Sequence, residues 1–173
     1  MGSEMCIRDR VEVAGQQGDL SSLVEVVGAD SADVVLCHGV LEVVDDPAAA
    51  LATIATVLRP GGVLSLLVAQ RHAAVLARAM AGHFRQAVAA LDGDTDPSGE
   101  RRFTAPEVTD LLVGSGFTPQ AVHAVRVFAD LVPGSLLDLE PGAGAALLDL
   151  ERAVADRPEY LTLAAQVHVL ASR

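Results

Sequence analysis

At 173 residues with 51% hydrophobic side chains, the chain is long enough for one domain-sized core and too apolar for a disordered state. Asp and Glu number 23 against 12 basic residues, all of them arginine, for a formal net charge of −11. This balance excludes nucleic-acid binding driven by the surface as a whole, though it allows a local basic patch.

Residues 1–10 carry neither an apolar period nor a helix cap. They read as a non-native leader ahead of a single domain at 11–173. Residues 11–15 alternate like a short strand, and Gly18-Asp19 follows as a turn. Residues 33–37 form a continuous apolar run behind one acid, as expected of a strand buried on both faces. Asp46-Pro47 opens a helix with a capping side chain and a proline at the first position. Ala50, Leu51, Ile54, Val57 and Leu58 supply its apolar face, and Arg59-Pro60-Gly61-Gly62 stops it. Residues 63–69 are a second buried strand, residues 71–91 one helix, and residues 92–100 a polar, acidic loop. Thr104 and Glu107 make a capping box for a helix ending at Gly114-Ser115-Gly116. A strand is expected over 123–131, a helix over 147–155, and an alternating antiparallel strand over 161–170.

Strands alternating with helices imply an α/β fold with a mostly parallel sheet and an antiparallel C-terminal strand. Ligands of such sheets bind beyond the carboxyl ends of the strands. The residues at those ends are Gly18-Asp19, His38-Gly39 and Gln70-Arg71-His72. No apolar run reaches the ~18 residues of a membrane span, and no secretory signal opens the chain. Cys6 and Cys37 make neither a disulfide framework nor a C-x-x-C metal spacing, so a reducing cytoplasm is expected. The five histidines look scattered, and no metal site is expected. Arg71, Arg78 and Arg85 recur every seven residues on one face of the 71–91 helix, with His72 and His83 nearby. That face is either a solvated charged surface or a phosphate-contacting stripe. Arg126 either grips a substrate carboxylate or pairs with Asp130, four residues on and on the same face of the expected strand.

The segment Asp33-Val-Val-Leu-Cys-His38-Gly-Val-Leu-Glu42-Val, followed by Leu58-Arg-Pro-Gly-Gly62-Val-Leu-Ser, resembles class I S-adenosylmethionine (SAM) dependent methyltransferases. Further stretches are Gln70-Arg-His72, Met80-Ala-Gly-His-Phe84, Arg126-Val-Phe-Ala-Asp130, Leu150-Glu151-Arg and Arg157-Pro-Glu-Tyr160-Leu-Thr-Leu. With these, the chain from about residue 11 onward resembles the tRNA 5-carboxymethoxyuridine carboxyl-methyltransferases. The resemblance implies a Rossmann-like methyltransferase sheet, SAM as cofactor, and methyl transfer to the carboxylate of a modified tRNA wobble uridine. It places Gly18, Asp19, Leu20 and His38 at the cofactor. Asp19 would accept from the adenine amino group, Leu20 would pack on the adenine, and His38 would close the pocket beside the methionine part. It favours the phosphate-contacting reading of the stripe, with Arg71, His72 and Arg78 at the substrate and Arg101-Arg102 extending the patch; Arg126, read as a partner for the substrate carboxylate, completes the expected substrate residues. A carboxylate acceptor is already ionised, so no catalytic base is implied, and alignment would supply the rate.

Two features of that family are missing from the sequence: the G-x-G loop after the first strand, and the acid after the second. The chain therefore resembles the C-terminal part of such an enzyme, truncated by two βα units. In the superfamily order 3-2-1-4-5-7-6, their loss separates residues 11–15 from residues 33–37. It leaves the latter as an open apolar edge. The alternatives are a small-molecule O-methyltransferase of the same fold and a non-catalytic fragment.

Overall fold

A computed structural model describes residues 14–91, 93 and 100–173. The expected leader, residues 11–13 of the first strand, and residues 92 and 94–99 of the acidic loop lie outside the described residues. Ala14 and Gly15 are not in a strand. The elements in chain order are α1 (Leu23–Val27), β1 (Ala32–His38), α2 (Pro47–Val57), β2 (Leu58–Ala69), α3 (Arg71–Met80) and α4 (Phe84–Leu91). They continue with α5 (Ala105–Gly114), β3 (Thr118–Val125), α6 (Gly134–Leu137), α7 (Ala143–Val154), α8 (Pro158–Leu161) and β4 (Gln166–Ser172). No helix among the described residues is long and apolar enough to cross a membrane.

The sheet order is β1-β2-β4-β3. β1 and β2 run parallel, and β4 runs antiparallel to both β2 and β3. This order agrees with the 4-5-7-6 part of the sheet that the resemblance implies. β1 stands at its edge, with β2 as its one partner among the described residues.

Local chemistry accounts for the helix boundaries. Asp46 Oδ1 accepts from the Ala48 and Ala49 N–H groups at 2.9 and 3.0 Å, opening α2. Glu107 Oε2 accepts from the Thr104 N–H at 2.7 Å and the Thr104 hydroxyl accepts from the Glu107 N–H, closing the capping box of α5. β2 begins at Leu58 rather than residue 63. Ala32 pairs with Leu58 and Val34 with Val63, so Arg59-Pro60-Gly61-Gly62 bulges opposite Asp33 within the ladder. A Cβ on Gly62 would meet the Arg59 carbonyl at 2.9 Å, so this crossing needs glycine.

Three further expected elements are corrected. The helix expected over 71–91 is two helices. The Gly82 N–H donates to the Ala79 carbonyl at 3.0 Å and the His83 N–H to the Arg78 carbonyl at 2.9 Å, with Gly82 at φ +79°. That pair of hydrogen bonds around a left-handed glycine ends α3. The strand expected over 123–131 is β3, which lies earlier and stops at Val125, because Arg126 takes a left-handed φ of +59°. The strand expected over 161–170 is β4, shifted toward the C-terminus. Pro158 starts the short α8 instead, as proline suits a first helical turn.

One face of the sheet holds the core. Leu64, Leu66, Val68, Val167, Val169 and Ala171 pack with Leu51, Ile54 and Leu58 and with Val108 and Leu112 of α5. Burial of β1 on both faces is also corrected. Cys37 is buried, but Val34 and Leu36, on the opposite face, are 57% and 68% exposed. Among the described residues, this edge strand thus presents an exposed apolar face.

Candidate functional site

Three groupings lie near the ends and edge of the sheet. The first is a cavity of about 1030 Å³ along β1. It is lined by Gly18, Asp19 and Leu20, by Leu23, Val26 and Val27 of α1, and by Val35, Leu36, Cys37, Val40 and Ile54. Three of the four expected cofactor residues therefore share one cavity. Its walls are largely aliphatic, as suits a flat heteroaromatic ring, and Asp19 and Ser21 supply polar atoms.

Asp19 holds its own turn. Its Oδ1 accepts from the Ser21 N–H at 2.8 Å, the Ser22 N–H at 3.1 Å and the Ser21 hydroxyl. The Ser21 hydroxyl first, and then the two backbone N–H groups, hold its carboxyl below the usual value. A ligand donor would therefore have to share this carboxylate with the turn. Cys37 lines the same cavity. Burial, reinforced by the charge of Glu42, pushes its thiol up to about 11, so it is not a nucleophile at neutral pH. Glu42 is 7% exposed and ties the end of β2 to the segment that precedes α5. Its Oε1 accepts from the Ala69 N–H at 2.7 Å and its carbonyl from the Arg101 N–H at 2.9 Å.

His38, the fourth expected cofactor residue, does not line that cavity. It belongs to the second grouping, on the sheet face opposite the core. His38 Nε2 is 2.9 Å from Ser65 Oγ, and Ser65 Oγ is 2.8 Å from His168 Nε2. His168 Nδ1 is 3.1 Å from His123 Nδ1, and His123 Nε2 is 3.3 Å from Asp156 Oδ1. Three histidines that look scattered in the sequence thus converge. Cross-strand register brings them together, since His38 and His168 both pair with Leu67, and His168 pairs with His123. No group of three metal-binding side chains with ligand geometry occurs among the described residues. Burial first, then the His123 and His38 rings, holds the His168 imidazole below its usual pKa.

The third grouping contains the arginines. The break at Gly82 ends the seven-residue stripe, leaving Arg71 and Arg78 on α3 and Arg85 on α4. Arg71 and Arg78 diverge further in their surroundings. Arg71 pairs with Glu107 at 2.9 Å and donates to the Arg102 carbonyl at 3.2 Å, in a cavity of about 550 Å³ shared with Arg101, Arg102 and Asp110. Burial disfavours the Glu107 carboxylate, but hydrogen bonds from Thr104 and Arg71 outweigh it and hold its carboxyl below the usual value. Arg78 and Arg126 line a different cavity of about 270 Å³ with Arg102 and Asp130. Arg126 pairs with Asp130 across a turn rather than along a strand. His72 is exposed on α3. Of the four expected substrate residues, the structure thus brings Arg78 and Arg126 together and holds Arg71 and His72 apart from them.

A further anchor went unread in the sequence. Glu151 of α7 accepts from three successive backbone N–H groups: Val127 at 2.9 Å, Phe128 at 2.7 Å and Ala129 at 2.8 Å. It pins the turn that carries Arg126. Only the tertiary fold brings a helix acid to a loop more than twenty residues upstream.

Residues 3–66 match the model of a family described as a methyltransferase domain. Over 148 residues the chain is 32% identical to the tRNA 5-carboxymethoxyuridine methyltransferase of Escherichia coli K12, covering 82% of this chain and 54% of that protein. The same enzyme of Escherichia coli O157:H7 matches equally. The chain spans about half the length of the curated relatives it matches. Among solved structures, a SAM-dependent methyltransferase of Thermotoga maritima, described as a possible histamine N-methyltransferase, is 20% identical with a TM-score of 0.52. That likeness covers 83% of this chain and 57% of the other. A SAM-dependent methyltransferase of Archaeoglobus fulgidus is 10% identical with a TM-score of 0.51, covering 91% and 66%. At these identities the likeness is one of fold.

Proposed function

We propose that the chain serves methyl transfer from SAM to the carboxylate of a modified wobble uridine in tRNA, a reading supported by its fold and by the match of residues 3–66 to a methyltransferase domain. The observation that carries this reading is the 32% identity over 148 residues to an enzyme named for that reaction. The aliphatic cavity beside β1 supports the cofactor part, because it gathers Gly18, Asp19 and Leu20. When bound, SAM supplies an electrophilic methyl group. In this chain Leu20 and the cavity walls would pack on the adenine, and Asp19 would accept from its amino group. His38, at the end of β1, would stand beside the methionine part. Arg78 and Arg126 share a cavity and offer guanidinium forks to a carboxylate or phosphate, while Arg71, paired with Glu107, lies in a separate cavity.

These residues fit one side of the cofactor. The Gly-rich loop and the ribose-binding acid of the superfamily are not in this sequence, so the chain by itself is expected to bind SAM weakly or not at all. Calorimetric titration of SAM into residues 1–173, beside the same chain extended upstream by the Gly-rich half of a methyltransferase, tests this. Saturable binding in the extended chain alone is the expected result. Strong binding by residues 1–173 would overturn the division of the cofactor site. Binding by neither would move the non-catalytic reading to first place.

The acceptor is tested separately. The net charge of −11 favours a small acceptor over tRNA, against the identity that favours tRNA. In the extended chain, Arg78→Glu with Arg126→Glu is expected to weaken tRNA binding at least tenfold while leaving SAM affinity unchanged. Unchanged tRNA affinity would favour the small-molecule acceptor.

A further inference from the structure

We propose that Ser65, His168, His123 and Asp156 form a hydrogen-bonded relay that sets the tautomer of His38 and leaves its Nδ1 as an acceptor at the carboxyl end of β1. The relay crosses all four strands. It runs from His38 on β1 through Ser65 on β2, His168 on β4 and His123 on β3 to Asp156, just beyond α7.

The direction of the relay follows from donor and acceptor counting. A neutral imidazole carries one N–H and one lone pair, and an ionised carboxylate only accepts. Asp156, whose carboxylate is 82% exposed and 3.3 Å from His123 Nε2, therefore favours the proton of His123 on that nitrogen. His123 Nδ1 is then an acceptor. At 3.1 Å from it, His168 Nδ1 must be the donor, which leaves His168 Nε2 as an acceptor. The Ser65 hydroxyl donates to that nitrogen at 2.8 Å. Its oxygen then accepts from His38 Nε2–H at 2.9 Å, and the lone pair of His38 falls on Nδ1. Every link has one donor and one acceptor, and no ring need be charged.

The surroundings disfavour charging His123 and His168 together. His123 and His168 stack with centroids 5.4 Å apart and planes 18° from parallel, so two imidazolium charges there would repel. The titratable groups acting on His168 are His123 and His38, with Asp156 reaching it through His123. Ser65, His168, His123 and Asp156 are thus positioning residues for His38. His38 is exposed, which leaves its Nδ1 to meet a donor from a ligand. The identity of that donor rests on the cofactor reading above, under which it would be the ammonium of the methionine part; the relay itself does not depend on it.

The test is nuclear magnetic resonance of the histidine ring nitrogens in residues 1–173, at about pH 8, well above the ordinary histidine pKa of about 6.5. The expected pattern is Nε2–H for His38 and His123 but Nδ1–H for His168, the tautomer that free histidine favours less in water. Asp156→Ala changes an exposed surface residue and is expected to return His168 toward Nε2–H. Ser65→Ala is expected to leave His168 as Nδ1–H while the His38 Nε2 proton exchanges faster with water. His168 found as Nε2–H in the unaltered chain, or unmoved by Asp156→Ala, would overturn the relay. Because no cofactor is present in this experiment, its failure is distinct from a failure to bind SAM.

Discussion

Replacing Glu151 with alanine is expected to destabilise the fold by about 3 kcal/mol, read as a lower midpoint in denaturant unfolding with an unchanged slope. The carboxylate accepts three backbone N–H groups in a row, from Val127, Phe128 and Ala129. Hydrogen bonds to a charged acceptor contribute about 1.5–3 kcal/mol each in favourable cases, and their sum is not additive when they share one group. Val127 is 1% exposed, so its N–H has little access to a replacement water. Glu151→Gln keeps one carbonyl acceptor of similar shape and is expected to recover roughly half of the loss. The effect should reach function through Arg126, because the pinned turn carries that guanidinium. If Glu151→Ala unfolds at the same denaturant concentration as the unaltered chain, the anchor does not carry the stability assigned to it.

The second large effect contrasts the two faces of the sheet. Leu66→Ala should cost about 3 kcal/mol, through lost transfer energy and the cavity it leaves, since Leu66 is fully buried among β2, β4 and the helices. Leu36→Ala removes the same atoms from a side chain that is 68% exposed and should change stability by less than about 0.5 kcal/mol. Leu36 should matter in another way. It lies with Val34 on an edge strand whose outer hydrogen-bonding side has no neighbour among the described residues, which is an invitation to self-association. Leu36→Lys is therefore expected to raise the concentration at which the chain remains monomeric in light scattering. Equal destabilisation by Leu66→Ala and Leu36→Ala would contradict the one-sided core.

Much of the fold was legible in the sequence where the cause is short-ranged. Asp46 caps α2 through N–H groups two and three residues away, and the box of Thr104 and Glu107 spans one turn. The apolar run at residues 33–37 marked β1 because a strand needs only its own pattern to be recognised. The turn at Gly18-Asp19 was legible at short range; cofactor contact for Gly18, Asp19 and Leu20 was implied by the resemblance alone, and the structure shows that the three line one cavity. The resemblance also implied the sheet order, which local propensities alone do not supply.

What went unread depends on contacts between distant residues or on competition between local rules. The seven-residue spacing of arginines suggested one stripe, but a left-handed glycine with two carbonyl partners outweighs helical periodicity at Gly82. Arg126 and Asp130 were expected on one face of a strand. They meet across a turn because the backbone at Arg126 leaves the extended region. The exposure of Leu36 cannot be read from its own side chain, since an apolar strand looks the same whether one face or two is covered.

The sequence by itself determined the helix caps, the alternation of strands and helices, and the absence of a Gly-rich loop, because each depends on residues within a few positions of one another. Only the tertiary structure decided which histidines meet. His38 and Ser65 are 27 residues apart, Ser65 and His168 are 103 apart, and His168 and His123 are 45 apart. They share one line because strand pairing has a fixed register and side chains alternate between faces. A slip of one residue in any of these strands would turn its histidine to the other side of the sheet.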